Sequence, residues 1–309
     1  MKKVKSTVRH VEVSPDRDGQ RLDNFLAARL KDLPRSAIYR IIRTGQVRVN
    51  GRRAKPANRL EAGDLVRIPP ATIRGQGPVN IPPLVLQLLD RSVCFEDAGV
   101  LVIDKPAGMA VHGGSGLAWG VIDVVRKLRP DRTIDLVHRL DRDTSGCLML
   151  ALDGKTLRDL HTQLLHDGIE KSYLCLLDGR LPEAVVDVDA PIAKTERSGE
   201  RFMHVDPRGK AAHTTFRLLQ SYGNCSFVEA QLHSGRTHQI RVHAAHLGLP
   251  LVGDRRYAPD GRQKHWRSKG VTRLFLHAHQ LRFATLDGGQ QLVSSQLPQE
   301  LVQLLDRLD

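Results

Sequence analysis

The sequence predicts an α+β protein with a mixed or antiparallel sheet in its body and a small α/β module ahead of it. Three observations carry this reading. Strand-like and helix-like patterns in the body do not alternate strictly, which argues against a doubly wound parallel fold. A proline- and glycine-rich stretch, residues 69–83, separates a short N-terminal segment from the rest. Charge divides at the same place. The 309 residues carry 47 Lys and Arg against 34 Asp and Glu, and residues 1–78 alone hold 18 basic and 7 acidic side chains. A basic segment on a nearly neutral body favours a polyanion-binding module joined to a second domain. It argues against a uniformly basic coating protein and against a single-domain small-molecule enzyme.

In chain order, Asp18-Gly19 leads into Leu22, Phe25, Leu26 and Leu30, whose spacing places one apolar stripe on a helix. Pro34 and Ser36 open a second helix, with Ile38, Ile41 and Ile42 inward and Gly45 at the stop. Arg35, Arg40 and Arg43 are left for its outer surface. Val47 and Val49 alternate with polar residues up to Asn50-Gly51, a strong hairpin signal, and Ala62-Gly63-Asp64 turns into Leu65–Ile68. Two short helices followed by a small β-unit, with Gly19–Asp23, Ser36, Arg43 and Gly45–Gly51 in this order, resemble the S4 RNA-binding domain. The resemblance implies RNA contact by Arg21, Ser36, Arg40, Arg43 and Arg48; an isolated basic helix would read as no more than a solvated face.

The expected division is therefore an S4-like domain over 1–78 (core about 18–68), a linker over 69–90, and a second domain over 91–309. In that domain Val100–Ile103 and Cys147–Leu152 read as buried strands. Residues 155–166 have helical spacing, Tyr173–Leu177 and Thr214–Leu219 read as strands, and Leu301, Leu304 and Leu305 mark a packing helix. Cys147–Leu152 is the longest apolar run and far too short to span a bilayer. No apolar stretch follows the basic start as in a secretory signal. Four scattered cysteines (Cys94, Cys147, Cys175, Cys225) read as reduced thiols, and the expected compartment is the cytoplasm.

The densest set of reactive groups is Val137–Gly146, where Asp141 and Asp143 are interleaved with Arg139 and Arg142. A guanidinium keeps an aspartate ionised, as a nucleophile or base requires; the same alternation also fits an inert surface turn. Three further segments bear on the choice: Lys171-Ser172-Tyr173, Ser234–His243 (SGRTHQIRVH), and the glycine-rich Ala110–Gly116 after the Lys105–Gly108 turn. With HRLDRDTSG they make the chain resemble the RluA family of pseudouridine synthases, from about residue 92 to the end.

That resemblance implies a pseudouridine synthase fold and a cofactor-free isomerisation, in which uracil is detached from ribose at N1 and rejoined through C5. It implies Asp141 as nucleophile and Tyr173 packed on the uracil, helping to move the C5 proton. It implies Arg236 paired with Asp141, and Arg139 entering the RNA where the uridine is vacated. The implied partner is 23S rRNA or its large-subunit precursor, at several uridines, with no metal and no membrane; a monomer is expected. The chemistry is self-consistent, because a stacked base must be flipped into a pocket to be reached. A planar cation can fill the gap while an aromatic ring covers the base.

Competing readings are weaker. His238, His243 and His246 do not share one helix face and lack a completing ligand, so they read as structural. His138 reads as a packing or loop-locking residue. Ser115 and Ser145 lack a nucleophile-elbow context. Asp143, Thr144 and Ser145 are expected to shape the loop by local hydrogen bonds. Arg142 fits a phosphate contact or a balance for Asp143. Residues 255–273 carry seven basic side chains against Asp260, with Tyr257 and Trp266 interleaved, and fit either a second RNA-contacting element or a solvated loop. The alternative for the whole chain is a non-catalytic RNA-binding ribosome-assembly factor, which would have lost Asp141, Tyr173 or the arginine.

Overall fold

The computed structural model describes residues 8–30, 33, 35–70, 80–113, 117–197 and 200–308. Pro34, Ser115 and the side chains of Arg35 and Ser36 lie outside the described residues. The chain forms two compact units, 1–80 and 81–309.

The first unit contains β1 (Arg9–Glu12), α1 (Leu22–Arg29), α2 (Arg35–Arg43), β2 (Arg48–Val49), β3 (Arg52–Arg53) and β4 (Leu65–Ile68). Its antiparallel sheet runs β1-β4-β2-β3. The predicted helix stripes meet the sheet in one core of Leu22, Phe25, Leu26, Ile38, Ile42, Val47 and Val66. Asn50 and Gly51 both take positive φ (49° and 74°), as a tight two-residue hairpin turn demands. The Asn50 side chain then bonds Asp64 and the Leu65 N–H, tying this hairpin to the Gly63 turn.

The second unit contains α3 (Pro83–Arg91), β5 (Val93–Glu96), β6 (Val100–Lys105), α4 (Val121–Leu128), β7 (Asp135–Leu136), β8 (Ser145–Ala151), α5 (Gly154–Leu165) and β9 (Glu170–Leu177). There follow β10 (Val185–Asp189), β11 (Ile192–Arg197), β12 (Glu200–Val205), β13 (His213–Tyr222), β14 (Cys225–Leu232), α6 (Gln239–His246), α7 (Asp260–Ser268), β15 (Leu276–Ala284), β16 (Gln290–Ser294) and α8 (Gln299–Asp306). Ten strands form one sheet with the path β10-β13-β14-β9-β15-β8-β6-β5, β16 joining β15 and β7 joining β8. Among the described residues β8 and β15 are the only strands that pair in parallel, so the sheet is mixed, as the sequence predicts. β11 and β12 form a separate hairpin.

Apolar side chains fill the sheet in patches. Val100, Val102, Cys147, Met149 and Phe283 pack with Leu160 of α5. Leu176 and Phe275 pack with Trp266 of α7 and with Leu301, Leu304 and Leu305 of α8, the packing role read from the sequence.

Two boundaries differ from the sequence reading. The segment read as linker to residue 90 contains α3, which belongs to the second unit, so the division falls at Asn80/Ile81. The segment 255–273, read as a loop, contains α7. Trp266 is the only buried residue of that helix, so no apolar period announces it.

Candidate active site

Asp141 lies in the loop from β7 to β8, and that loop is clamped from several sides. The Thr144 N–H donates to the Asp141 carbonyl at 3.2 Å, closing a turn. Gly108 N–H donates to the Arg142 carbonyl at 2.8 Å, and Arg142 Nε returns a bond to the Gly108 carbonyl at 2.8 Å. Lys105, fully buried at the end of β6, donates to the carbonyls of Pro106, Met109 and Arg142 at 3.0, 3.0 and 3.1 Å. Burial, with the charge of Arg273 added, pushes its ammonium down to about 7, against the pull of Asp143, Asp141 and Asp104. His138 Nε2 accepts the Met149 N–H at 3.1 Å, and burial lowers the ring to about 4, so it locks the loop as a neutral acceptor.

Gly146 explains why the loop can end where it does. Its φ is +107°, and a Cβ there would run into the Ala278 carbonyl at the parallel β8–β15 pairing. Ser145 reaches further than the local role read from sequence. Its hydroxyl accepts from Arg273 at 2.7 Å and donates to His277 Nδ1 at 3.0 Å, and His277 Nε2 donates to the Ser295 carbonyl at 3.2 Å. The proton positions follow from the partners, since a carbonyl can only accept. Arg273 also pairs with Glu300 of α8 at 2.9 Å.

The arginine against Asp141 is Arg241, and this corrects the expectation for Arg236. Arg241 Nη1 lies 3.1 Å from Asp141 Oδ2, while Nε and Nη2 hold Asp254 at 2.7 and 2.9 Å. Arg236 instead donates through Nε to the Ala211 carbonyl at 2.8 Å and is exposed. The cause is local. Gln239 accepts the Arg236 N–H and the Ser234 hydroxyl and donates to the His213 carbonyl, folding the turn back on β13. His238 then enters α6 with φ +56°, and the helix carries Arg241 inward.

Burial would lower the Arg241 guanidinium, but Asp254 and Asp141 outweigh it and hold the pKa above its ordinary value. Burial would likewise raise the Asp254 carboxyl, yet Arg241 and the N–H groups of Arg256 and Tyr257 keep it below the usual range.

His238 completes the setting. Its Nε2 is 3.6 Å from Asp141 Oδ2 and its Nδ1 is 2.7 Å from the Tyr257 hydroxyl. Burial lowers its pKa against the pull of Asp141. Both neighbours of the carboxylate converge on Oδ2, and Oδ1 accepts no hydrogen bond among the described residues. His243 bonds Thr214 and the Ala190 carbonyl, which accounts for it structurally.

Two cavities meet at Asp141. A cleft of about 1230 Å³ is lined by Lys105, His112, Arg142, Arg255, Arg256 and Arg273 among others. A smaller pocket of about 510 Å³ is lined by His138, Lys171, Tyr173, Leu232, Arg236 and Leu276 among others. Arg139, Leu140, Asp141, Thr237, His238 and Arg241 border both. The wall between the cleft and the pocket therefore holds the carboxylate and an exposed arginine. Tyr173 is buried, and burial, with the charge of Asp141 added, raises its phenol, so the ring is neutral.

Of the basic segment 255–273, Arg255, Arg256 and Arg273 border the cleft, whereas Arg262 pairs with Asp178 at 2.7 Å on α7. In the first unit Arg40, Arg43 and Arg48 are exposed. Arg21 holds Asp23 through two nitrogens at 3.1 and 2.7 Å, which keeps that carboxyl near 2. Sequence reasoning missed Lys105, His238, Arg241 and Asp254; all but Asp254 stand inside segments already singled out.

The chain is similar to known proteins along its whole length. Residues 99–246 match the RNA pseudouridylate synthase family, and residues 20–66 match the S4 domain. The ribosomal large subunit pseudouridine synthase C of Pasteurella multocida is 42% identical over 99% of this chain and 96% of its own. The protein of the same name from Escherichia coli K12 is 42% identical over 100% and 99%. Among solved structures, human RNA pseudouridylate synthase domain containing 4 superposes with a TM-score of 0.62 at 25% identity, covering 73% of this chain and 95% of that one.

Proposed function

The chain belongs to the RNA pseudouridylate synthase family, and from that premise we propose that it isomerises uridines of large-subunit rRNA to pseudouridine with Asp141 as the nucleophile. The single observation that carries the site assignment is the position of Asp141 on the wall shared by cleft and pocket. RNA lying in the cleft would send one flipped uracil into the pocket, bringing its glycosidic bond to that wall. Tyr173 then packs on the uracil inside the pocket, and Arg139, exposed at the border, takes the space the base vacates.

Arg241, with Arg236 displaced from the role, pairs with Asp141 and aims it, and Oδ1 makes the attack because Oδ2 is already engaged. A carboxylate and the ring atoms N1 and C5 suffice to write the isomerisation, so no cofactor enters this reading. The S4 domain supplies phosphate contacts through Arg40, Arg43 and Arg48, with Arg21 bracing α1 and Ser36 kept as a contact from the sequence alone. Arg255 and Arg256 add contacts along the cleft, and Arg142 serves mainly to hold the loop.

The partner in this reading is 23S rRNA or the large-subunit precursor, bound by a monomer in the cytoplasm. Among the described residues no helix is long and apolar enough to cross a membrane. The test is tritium release from 5-tritiated uridine in rRNA, wild type against Asp141→Ala. Release is expected to stop in the variant; release that survives removes Asp141 as nucleophile, and a wild-type chain that releases none revives the RNA-binding assembly factor.

A further inference from the structure

Lys171 stands two residues before Tyr173 on β9, so both side chains project from the same face of the sheet. Both line the 510 Å³ pocket that Asp141 borders. Lys171 is only 9% exposed, yet among the described residues its ammonium makes no hydrogen bond and no ion pair. The other cations buried near the site are all met: Lys105 by three carbonyls, Arg241 by two carboxylates. An ammonium on so enclosed a side chain, open only to the pocket and without a partner in the protein, is costly, and an apolar side chain of the same length would fill the place at no such cost. Its surroundings do not neutralise it. Asp167, ahead of β9, favours the charged form, burial opposes it more strongly, and the net shift is downward. His138 and Tyr173 are neutral neighbours, and Arg139, Arg236, Arg241, His238 and Asp141 stand around the same pocket.

We propose that Lys171 contacts the substrate: its ammonium donates a hydrogen bond to a ring carbonyl oxygen of the flipped uracil and holds the negative charge that the ring acquires. The inference rests on the reading of this pocket as the uracil site. When the N1–C1′ bond breaks, its electron pair stays with the uracil and spreads over the ring oxygens, while C1′ is taken up by Asp141. If Asp141 instead adds to the ring at C6, the displaced pair again settles on a carbonyl oxygen. In the return step C5 bonds C1′, Asp141 is released, the C5 proton leaves and N1 gains one. Lys171 neither gains nor loses an atom in either route; it supplies the counter-charge, which is strongest in a site closed to water.

The experiment uses the full chain in excess over an rRNA fragment carrying 5-tritiated uridine, with Lys171→Met beside Asp141→Ala. Lys171→Met should slow single-turnover release about 10²-fold, the scale seen when one charge-stabilising donor is removed. Its RNA affinity should be little changed, and its thermal midpoint should stay level or rise, because a desolvated charge has been removed. The wild-type rate should fall on the alkaline side as the ammonium deprotonates, and that limb should be missing from the variant. Release at the wild-type rate overturns the proposal. So does a slower rate that comes with a lower midpoint, weaker RNA binding and an intact alkaline limb, since that is a packing defect. If Asp141→Ala abolishes release and Lys171→Met leaves it untouched, the lysine alone is refuted; if Asp141→Ala still releases tritium, the pocket reading itself falls.

Discussion

Arg241→Met and Arg236→Met decide which arginine serves Asp141. In Arg241→Met the stem is kept and the charge held between Asp254 and Asp141 is lost. Asp254 is 1% exposed, and it would keep only the N–H groups of Arg256 and Tyr257. Breaking a buried pair from one side costs about 3–5 kcal/mol, and the two backbone donors place the loss near the lower figure. At Asp141 a unit charge about 4 Å away is worth about 4 kcal/mol at an effective dielectric of 20. Water in the cleft roughly halves that value, which leaves about 2 kcal/mol of attraction to aim the carboxylate, and losing that aim should slow the reaction by a factor of up to about 30. Arg236→Met removes one bond to the Ala211 carbonyl from an exposed side chain, about 1 kcal/mol. Urea unfolding should therefore separate the two variants by about 2 kcal/mol. Single-turnover tritium release should be slowed mainly in Arg241→Met. Two folded variants in which Arg236→Met is the slower would refute the pairing.

The remaining predictions concern stability and grip. His277 is fully buried, and burial lowers it from 6.5 to about 4. The unfolded chain therefore takes up a proton that the folded one refuses. Stability at this group is complete above the unfolded value and declines as pH falls from 6.5 toward 4, by at most about 3 kcal/mol. Urea midpoints at pH 7 and pH 4.5 should show that slope, and His277→Gln should flatten it. Gly146→Ala puts a methyl into the Ala278 carbonyl at a positive φ, so it should lower the thermal midpoint sharply and abolish release. A midpoint within a degree or so of wild type would contradict the close approach of β8 and β15. Replacing Arg40, Arg43 and Arg48 by Gln should reduce the slope of log affinity against log salt by about two to three units, with turnover at saturation retained. An unchanged slope would remove those arginines from the RNA contact.

What could be read from the chain follows a physical division. The helix stripes of the first unit, the Asn50-Gly51 turn and the Asp141 loop were legible because each depends on residues close in sequence. The mixed sheet was legible only as a class, since the parallel β8–β15 pairing joins residues more than a hundred positions apart. α7 was not, because Trp266 alone faces inward and a single apolar residue has no period. Arg236 and Arg241 sit five residues apart in one motif, and spacing does not say which turns inward. That choice is made by Gln239, which folds the turn onto His213 and Thr214, and by the left-handed His238 that starts α6. Ser145 stands in sequence as a local turn residue, whereas its partners Arg273 and His277 come from the far end of the chain.

The electrostatics of the site explain why Arg241 is divided between two carboxylates. An arginine given wholly to Asp141 would stabilise the carboxylate well, and the same stabilisation would have to be surrendered at the moment of attack. Here two of its nitrogens are bound at 2.7 and 2.9 Å to Asp254, which also takes two backbone N–H groups, and a single nitrogen reaches Asp141 at 3.1 Å. Asp254 therefore fixes the guanidinium, and Asp141 receives its charge through one contact, without a second bond to break. The contact falls on Oδ2, beside a His238 that its surroundings keep neutral, so the lone pairs of Oδ1 stay unengaged. Geometry thus separates two demands that conflict on one atom. In the proposed reaction one carboxylate oxygen takes the ion pair, and the other is left free to attack the uridine held between cleft and pocket.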